Sequence, residues 1–90
     1  MDTRELKDLV SVGKATLEDF ERLEIHTVAD LMGKDHQQLY DQLKKVKNLD
    51  YLDKCVLDVF KTAIMQAENP DLPEEQKPWY YWSKVRKGQV

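Results

Sequence analysis

Residues 6–23 read LKDLVSVGKATLEDFERL, two segments with apolar residues at helical spacing on either side of a short break. The apolar positions of the two segments are Leu6, Leu9, Val10, Leu17, Phe20 and Leu23. Gly13 lies in the break, and glycine tolerates backbone conformations that a side chain usually forbids. The stretch therefore predicts a first helix that begins at Asp2 or Thr3, a tight turn, and a second helix that begins at Lys14.

The rest of the chain predicts three more helices and no strand, because no segment shows the apolar and polar alternation of a strand. Thr27 can cap a short third helix, and Asp35 can cap a fourth. From Asp50 to Ala67, apolar residues cover more than half of a helical circumference, which favours a fifth, central and buried helix. The prolines in residues 69–73 end it. With 90 residues, the sequence predicts one all-α domain of five helices.

The charge of the chain argues against one class of function. Its 17 acidic and 14 basic residues give a net charge of −3, which does not suit a protein that coats nucleic acid by bulk electrostatics. Basic residues are nevertheless concentrated at the C-terminal end, where residues 77–90 contain no acidic residue. The first 30 residues contain no apolar run that could form a signal peptide or span a membrane, so we expect a cytoplasmic protein without membrane contact.

The turn at Gly13 is a candidate phosphate site. The helix that follows it begins with N–H groups that have no partner inside the helix, and these groups and the positive end of the helix dipole favour an anion. Lys14 lies where its ammonium group could add a charge contact. The alternative is a turn without a ligand, which only packs two pairs of helices together.

These residues resemble the helix-hairpin-helix family, whose pattern includes Leu-Pro-Gly-Val-Gly. Residues 9–13 read Leu-Val-Ser-Val-Gly, so Val12 and Gly13 match, while Val10 and Ser11 stand in place of the proline and the first glycine. The resemblance implies that backbone N–H groups of this turn hold a DNA phosphate. The residues it implicates are Ser11, Val12, Gly13 and Lys14.

Residues 24–43 look like a second unit of the same kind, whose turn keeps Gly33 and Lys34 as further phosphate-binding candidates. Together with residues 52–60 and 78–82, they make nearly the whole chain similar to the pathogenicity locus family. Members of this family are small bacterial helix-hairpin-helix proteins, some of them labelled mitomycin-resistance proteins. The resemblance implies no reaction.

The same resemblance implies how the chain is organised. Residues 1–68 are expected to form a tandem helix-hairpin-helix domain with the fifth helix at its centre. Residues 69–90 are expected to form a proline-containing linker and an aromatic, basic C-terminal tail packed on the same domain.

The C-terminal tail combines aromatic rings with cations. The candidate residues of this surface are Trp79, Tyr81, Trp82, Lys84 and Arg86. Rings beside cations suit stacking on single-stranded nucleic acid. The small size of the chain favours instead a clasp, in which the rings fold back over the first and fifth helices.

No catalytic residue, metal ligand or cofactor is predicted. Cys55 has no second cysteine to pair with, and a metal site would need His26 or His36 brought close by the fold, so Cys55 is expected to be a small buried hydrophobic residue. The sequence thus predicts a non-enzymatic module that binds DNA weakly and without sequence specificity.

The alternative function is an adaptor that binds another protein or a second copy of itself. It would use the aromatic tail or an acidic face on the second helix, which would repel a nearby duplex. The residues of that face are Glu18, Asp19, Glu21 and Glu24.

Overall fold

The computed structural model describes residues 3–89, and every regular element in this range is helical. The elements are α1 (Lys14–Arg22), α2 (Val28–Leu31), α3 (His36–Val46), α4 (Lys54–Glu68) and α5 (Trp79–Arg86), with single 3-10 turns at Leu6–Asp8 and Glu74–Gln76. The predicted all-α class is confirmed.

The first predicted helix is wrong in extent. Its predicted start at Asp2 lies outside the described residues, Thr3 is not helical, and the segment forms only the 3-10 turn Leu6–Asp8. Leu6, Leu9 and Val12 are all buried in the core. A continuous helix would point the first and last of these side chains about 120° apart. The chain therefore leaves the helical path at Leu9, whose backbone is extended.

The fifth α-helix lies in the segment that was expected to be a tail. This helix, α5, includes most of the aromatic and basic residues of the expected tail and continues to Arg86. The predicted helix from Asp50 begins instead at Lys54, where the Asp53 carboxylate accepts a hydrogen bond from the Cys55 N–H. The predicted caps at Thr27 and Asp35 are confirmed.

The core lies around α4, which packs against α2, α3 and α5. At its centre the fully buried rings of Phe20 in α1 and Phe60 in α4 stack, with their centroids 5.4 Å apart. Leu31 and Leu43 are fully buried beside them. These contacts confirm the prediction of a central buried helix in this part of the sequence.

One side of α4 is polar although it is buried. Asp58, Thr62 and Gln66 follow one another at four-residue spacing and are at most 3% exposed, and we call them the polar stripe. The Gln66 amide donates to the Val10 carbonyl at 3.0 Å and accepts from the Val10 N–H at 2.9 Å. The Thr62 hydroxyl donates to the Lys77 carbonyl. The polar stripe thus joins α4 to both ends of the described chain.

Replacing Gln66 with leucine tests how much its hydrogen bonds contribute to the free energy of unfolding. Gln66→Leu keeps similar bulk but removes three hydrogen bonds, two to Val10 and one to Thr62. We expect the free energy of unfolding to fall by about 2–3 kcal/mol and the Tm by roughly 10 °C.

The matched control is Gln42→Leu, because Gln42 is exposed on α3. It should change the free energy of unfolding by less than about 0.5 kcal/mol. Equal melting curves for the two variants in thermal denaturation would contradict the role assigned to Gln66.

Candidate functional site

The first turn, residues 11–14, ends in an open helix terminus. No side chain caps α1, and the N–H groups of Gly13, Lys14 and Ala15 form no hydrogen bond to any residue from 3 to 89. All three residues are exposed, and a Cβ built on Gly13 meets no atom within 4 Å. Of the residues predicted to bind phosphate in this turn, Gly13 and Lys14 are therefore exposed with unpaired N–H groups, whereas the Val12 N–H donates to the Leu9 carbonyl.

The strained backbone of this turn is at Ser11 and not at Gly13. Gly13 has an extended backbone with φ −100°, so the prediction that it supplies the conformation forbidden to side chains is wrong. Ser11 has φ 70°, in the left-handed region that costs a residue with a side chain about 1–2 kcal/mol. Ser11 occupies the position where the helix-hairpin-helix pattern has its first glycine.

The Ser11 hydroxyl joins the first turn to α5. Its oxygen accepts a hydrogen bond from the Trp79 backbone N–H at 3.0 Å, and so satisfies one of the unpaired N–H groups at the start of α5. The two residues are 68 positions apart in sequence. Two surfaces that were predicted separately, the turn and the aromatic segment, thus lie side by side.

The second turn, residues 32–35, is different because an internal carboxylate already occupies it. Gly33 has φ 78°, and its N–H donates to Oε2 of Glu68, the last residue of α4, at 2.8 Å. Lys34 beside it is exposed and forms no ion pair within the described chain. Of the predicted phosphate-binding groups in this turn, the Lys34 ammonium group is accessible and the Gly33 N–H is not.

The aromatic segment is partly a clasp and partly a surface. The Trp82 indole N–H donates to the Gln76 carbonyl at 2.7 Å, and the Tyr81 ring packs edge-on against Trp82 with the centroids 5.0 Å apart. Trp79 and Lys84 remain exposed. Of the five candidate residues of this surface, Tyr81 and Trp82 are half-buried, whereas Trp79 and Lys84 are directed to solvent.

Arg86, the fifth candidate residue of that surface, forms an ion pair with a buried carboxylate, although one third of its side chain is exposed. Its guanidinium donates two hydrogen bonds to the Asp58 carboxylate, each at 3.0 Å, and Asp58 is 2% exposed. The hydrogen bonds to Asp58 raise the pKa of Arg86. The pair stabilises α5 on α4, because removing Arg86 would leave the buried Asp58 carboxylate without its partner.

The acidic face of the second predicted helix is smaller than expected. Asp19 was predicted to face solvent, and this is wrong, because it is 9% exposed. Its carboxylate lies 3.1 Å from the Arg22 guanidinium and 3.7 Å from the Lys47 ammonium group. Glu18 and Glu21 remain exposed on α1, and Glu24 follows it. The face therefore contains three accessible carboxylates.

Cys55 lies in the first turn of α4 and is half-buried. Burial and a hydrogen bond with Asp53 raise the pKa of its thiol, so the thiol stays protonated near neutral pH and is a weak nucleophile. From residue 3 to residue 89, no three His, Cys, Asp or Glu side chains are grouped so that they could hold a metal ion. In the same range no helix has the length and apolar character needed to cross a bilayer.

Two residues that shape the site were not identified from the sequence. Asp58 is one, although the four-residue spacing of Asp58, Thr62 and Gln66 on an apolar helix is a visible signal. Glu68 is the other, and it lies 35 positions from the Gly33 N–H that it binds, so no local pattern indicates it.

Comparison with known proteins places the chain in a family. A profile of the pathogenicity locus family, Cdd1, matches residues 1–88. Mitomycin resistance protein McrB of Streptomyces lavendulae is 35% identical over 86 residues, which make up 96% of this chain and 77% of that protein. No solved structure shows a significant match. The profile and the relative both cover almost the whole chain, and they show that the protein belongs to the pathogenicity locus family.

Proposed function

We propose that the protein is a small module that binds nucleic acid weakly and without sequence specificity, through the phosphate backbone. The observation that carries this proposal is the open N-terminus of α1, where the N–H groups of Gly13 and Lys14 are exposed and unpaired within residues 3–89. Such groups favour a phosphate oxygen, and the Lys14 ammonium group adds a cation beside them.

The other two residues of the turn support the site without touching the phosphate. The Val12 side chain is buried in the core, and its N–H donates to the Leu9 carbonyl at 3.3 Å. The Ser11 hydroxyl accepts from Trp79. Both contacts hold the backbone in place, so the N–H groups of Gly13 and Lys14 need little reordering when they bind.

The charges around the turn are consistent with weak binding. Glu18 and Glu21 are exposed on the helix that begins at the site, and their carboxylates oppose a second phosphate along α1. At the second turn, the Gly33 N–H already donates a hydrogen bond to the Glu68 carboxylate, so Lys34 contributes only its charge. The proposal therefore rests on one turn with backbone contacts and one turn with a single lysine.

Charge reversal at the two turns tests the proposal. In a fluorescence anisotropy titration with a labelled duplex at ~50 mM salt, we expect a Kd of ~1–100 µM. Lys14→Glu should raise the Kd at least about tenfold, since it places a carboxylate beside the phosphate site.

The matched control is Lys34→Glu, which changes the net charge equally, and it should raise the Kd by less than about threefold because no backbone contact is lost there. Absence of binding by the unaltered protein at ~100 µM would refute the proposal and favour the protein-binding alternative.

Removing the internal carboxylate of the second turn should strengthen binding. Glu68→Ala frees the Gly33 N–H and removes a negative charge beside Lys34, so we expect the Kd for the same duplex to fall about threefold or more. Glu75→Ala is the control, because Glu75 is also exposed and forms no ion pair within residues 3–89. Equal effects of the two variants would show that net charge alone controls affinity and that the turns do not bind phosphate.

A further inference from the structure

A cleft of about 350 Å³ lies between the first turn of α4 and one face of α5. Trp79 and Ser83 of α5 line it together with Lys87, the residue that follows this helix, at four-residue spacing. Lys54 and Cys55 line it from α4. None of these residues belongs to the two turns discussed above. The volume is near the lower end of the range of small-molecule sites, which suits a ligand the size of one nucleotide.

Ser83 is the polar group that marks this cleft as a binding site. It is 6% exposed, yet its hydroxyl forms no hydrogen bond to any residue of the described range. Every fully buried side-chain oxygen or nitrogen in residues 3–89 has a hydrogen-bond partner. Because the Ser83 hydroxyl has none, its oxygen is not fully buried and can be reached from the cleft. A polar group so deep in a protein normally has a partner, so this hydroxyl is available to a ligand that enters the cleft.

The charges that line the cleft favour an anion. The lining contains three cations and two carboxylates, namely Lys54, Arg86 and Lys87 and Asp53 and Asp58. Arg86 neutralises the Asp58 carboxylate at two contacts of 3.0 Å, whereas Lys54 and Lys87 form no ion pair with the described residues. The Lys54 ammonium group lies 5.3 Å from the centroid of the Tyr40 ring and keeps its charge there. The Cys55 thiol adds no negative charge near neutral pH, because burial raises its pKa.

Trp79 supplies an apolar ring at the same place. Its side chain is about two-fifths exposed, and its indole N–H has no hydrogen-bond partner between residues 3 and 89. The Tyr80 ring meets it edge-on with the centroids 6.2 Å apart, which limits the orientations of the indole. A restrained indole beside cations suits a ligand that joins a flat aromatic base to a negatively charged group.

We propose that the cleft between α4 and α5 binds a nucleoside phosphate, with the base against Trp79, a hydrogen bond at Ser83, and the phosphate near Lys54 and Lys87. The ligand is a free nucleotide or an unpaired nucleotide of a strand, since both carry the same base and phosphate. This site goes beyond the proposed phosphate contact at the first turn, and it does not depend on that contact.

Titration of the 15N-labelled protein with AMP, adenosine and inorganic phosphate, followed by amide NMR shifts, tests this site. AMP should shift the signals of Trp79, Ser83, Lys87 and Cys55 with a Kd below ~1 mM. Adenosine should bind at least about fivefold more weakly, because it lacks the charge that the two lysines attract. Absence of shifts at these residues with AMP would overturn the proposal.

Two variants separate a specific site from a general charge effect. Ser83→Ala removes a hydroxyl that has no partner in the described structure, so it should keep the Tm and weaken AMP binding about threefold or more. Lys87→Glu should weaken it about fivefold or more, whereas Lys84→Glu, the same change at an exposed residue outside the cleft, should change it less than about twofold. Equal effects of Lys84→Glu and Lys87→Glu, or unchanged binding by Ser83→Ala, would refute the site.

A single-stranded oligothymidylate distinguishes the two sources of the nucleotide. If an unpaired nucleotide of a strand is the ligand, the oligonucleotide shifts the same cleft signals as AMP and Ser83→Ala weakens its binding. If a free nucleotide is the ligand, AMP alone shifts them. Lys14→Glu should leave the AMP-induced shifts of the cleft signals unchanged, so failure of the cleft and failure of the first-turn proposal are observed separately.

Discussion

The structure depends on the buried polar stripe of α4. The side chains of Asp58, Thr62 and Gln66 are buried. Burying a polar group without a hydrogen-bond partner costs roughly several kcal/mol, because the group loses its contacts with water. Each of the three therefore needs a contact from another segment. Gln66 receives it from Val10, Thr62 from Lys77 and Asp58 from Arg86. Satisfying this stripe places the first turn and α5 along the same face of α4.

This arrangement determines which surfaces lie together. Because Gln66 holds Val10 and Thr62 holds the segment before α5, Ser11 lies close enough to accept from the Trp79 N–H. The same docking of α5 against the start of α4 creates the cleft that contains Ser83. The position of α5 on α4 thus determines both the surroundings of the first turn and the shape of the cleft.

The sequence predicted best those features that depend on neighbouring residues. The caps at Thr27 and Asp35 involve partners two or three residues away, and their residue types alone indicate them. The first helix was overpredicted because Leu6, Leu9 and Val12 meet the core by leaving the helical path, which a helical spacing rule does not describe. Asp19 was placed in solvent because its partner Lys47 belongs to the segment after α3.

The sequence by itself determined the all-α class, the central helix and the family, because apolar periodicity, capping residues and a nearly full-length resemblance are all carried by the linear order of residues. Only the tertiary structure decided that the first turn is open while Glu68 occupies the second, and that Arg86 is bound to Asp58 while Trp79 stays exposed. The reason is physical. These contacts join residues 28 to 68 positions apart, and hydrogen-bond partners at such separations are chosen by packing and burial, which local pattern does not encode.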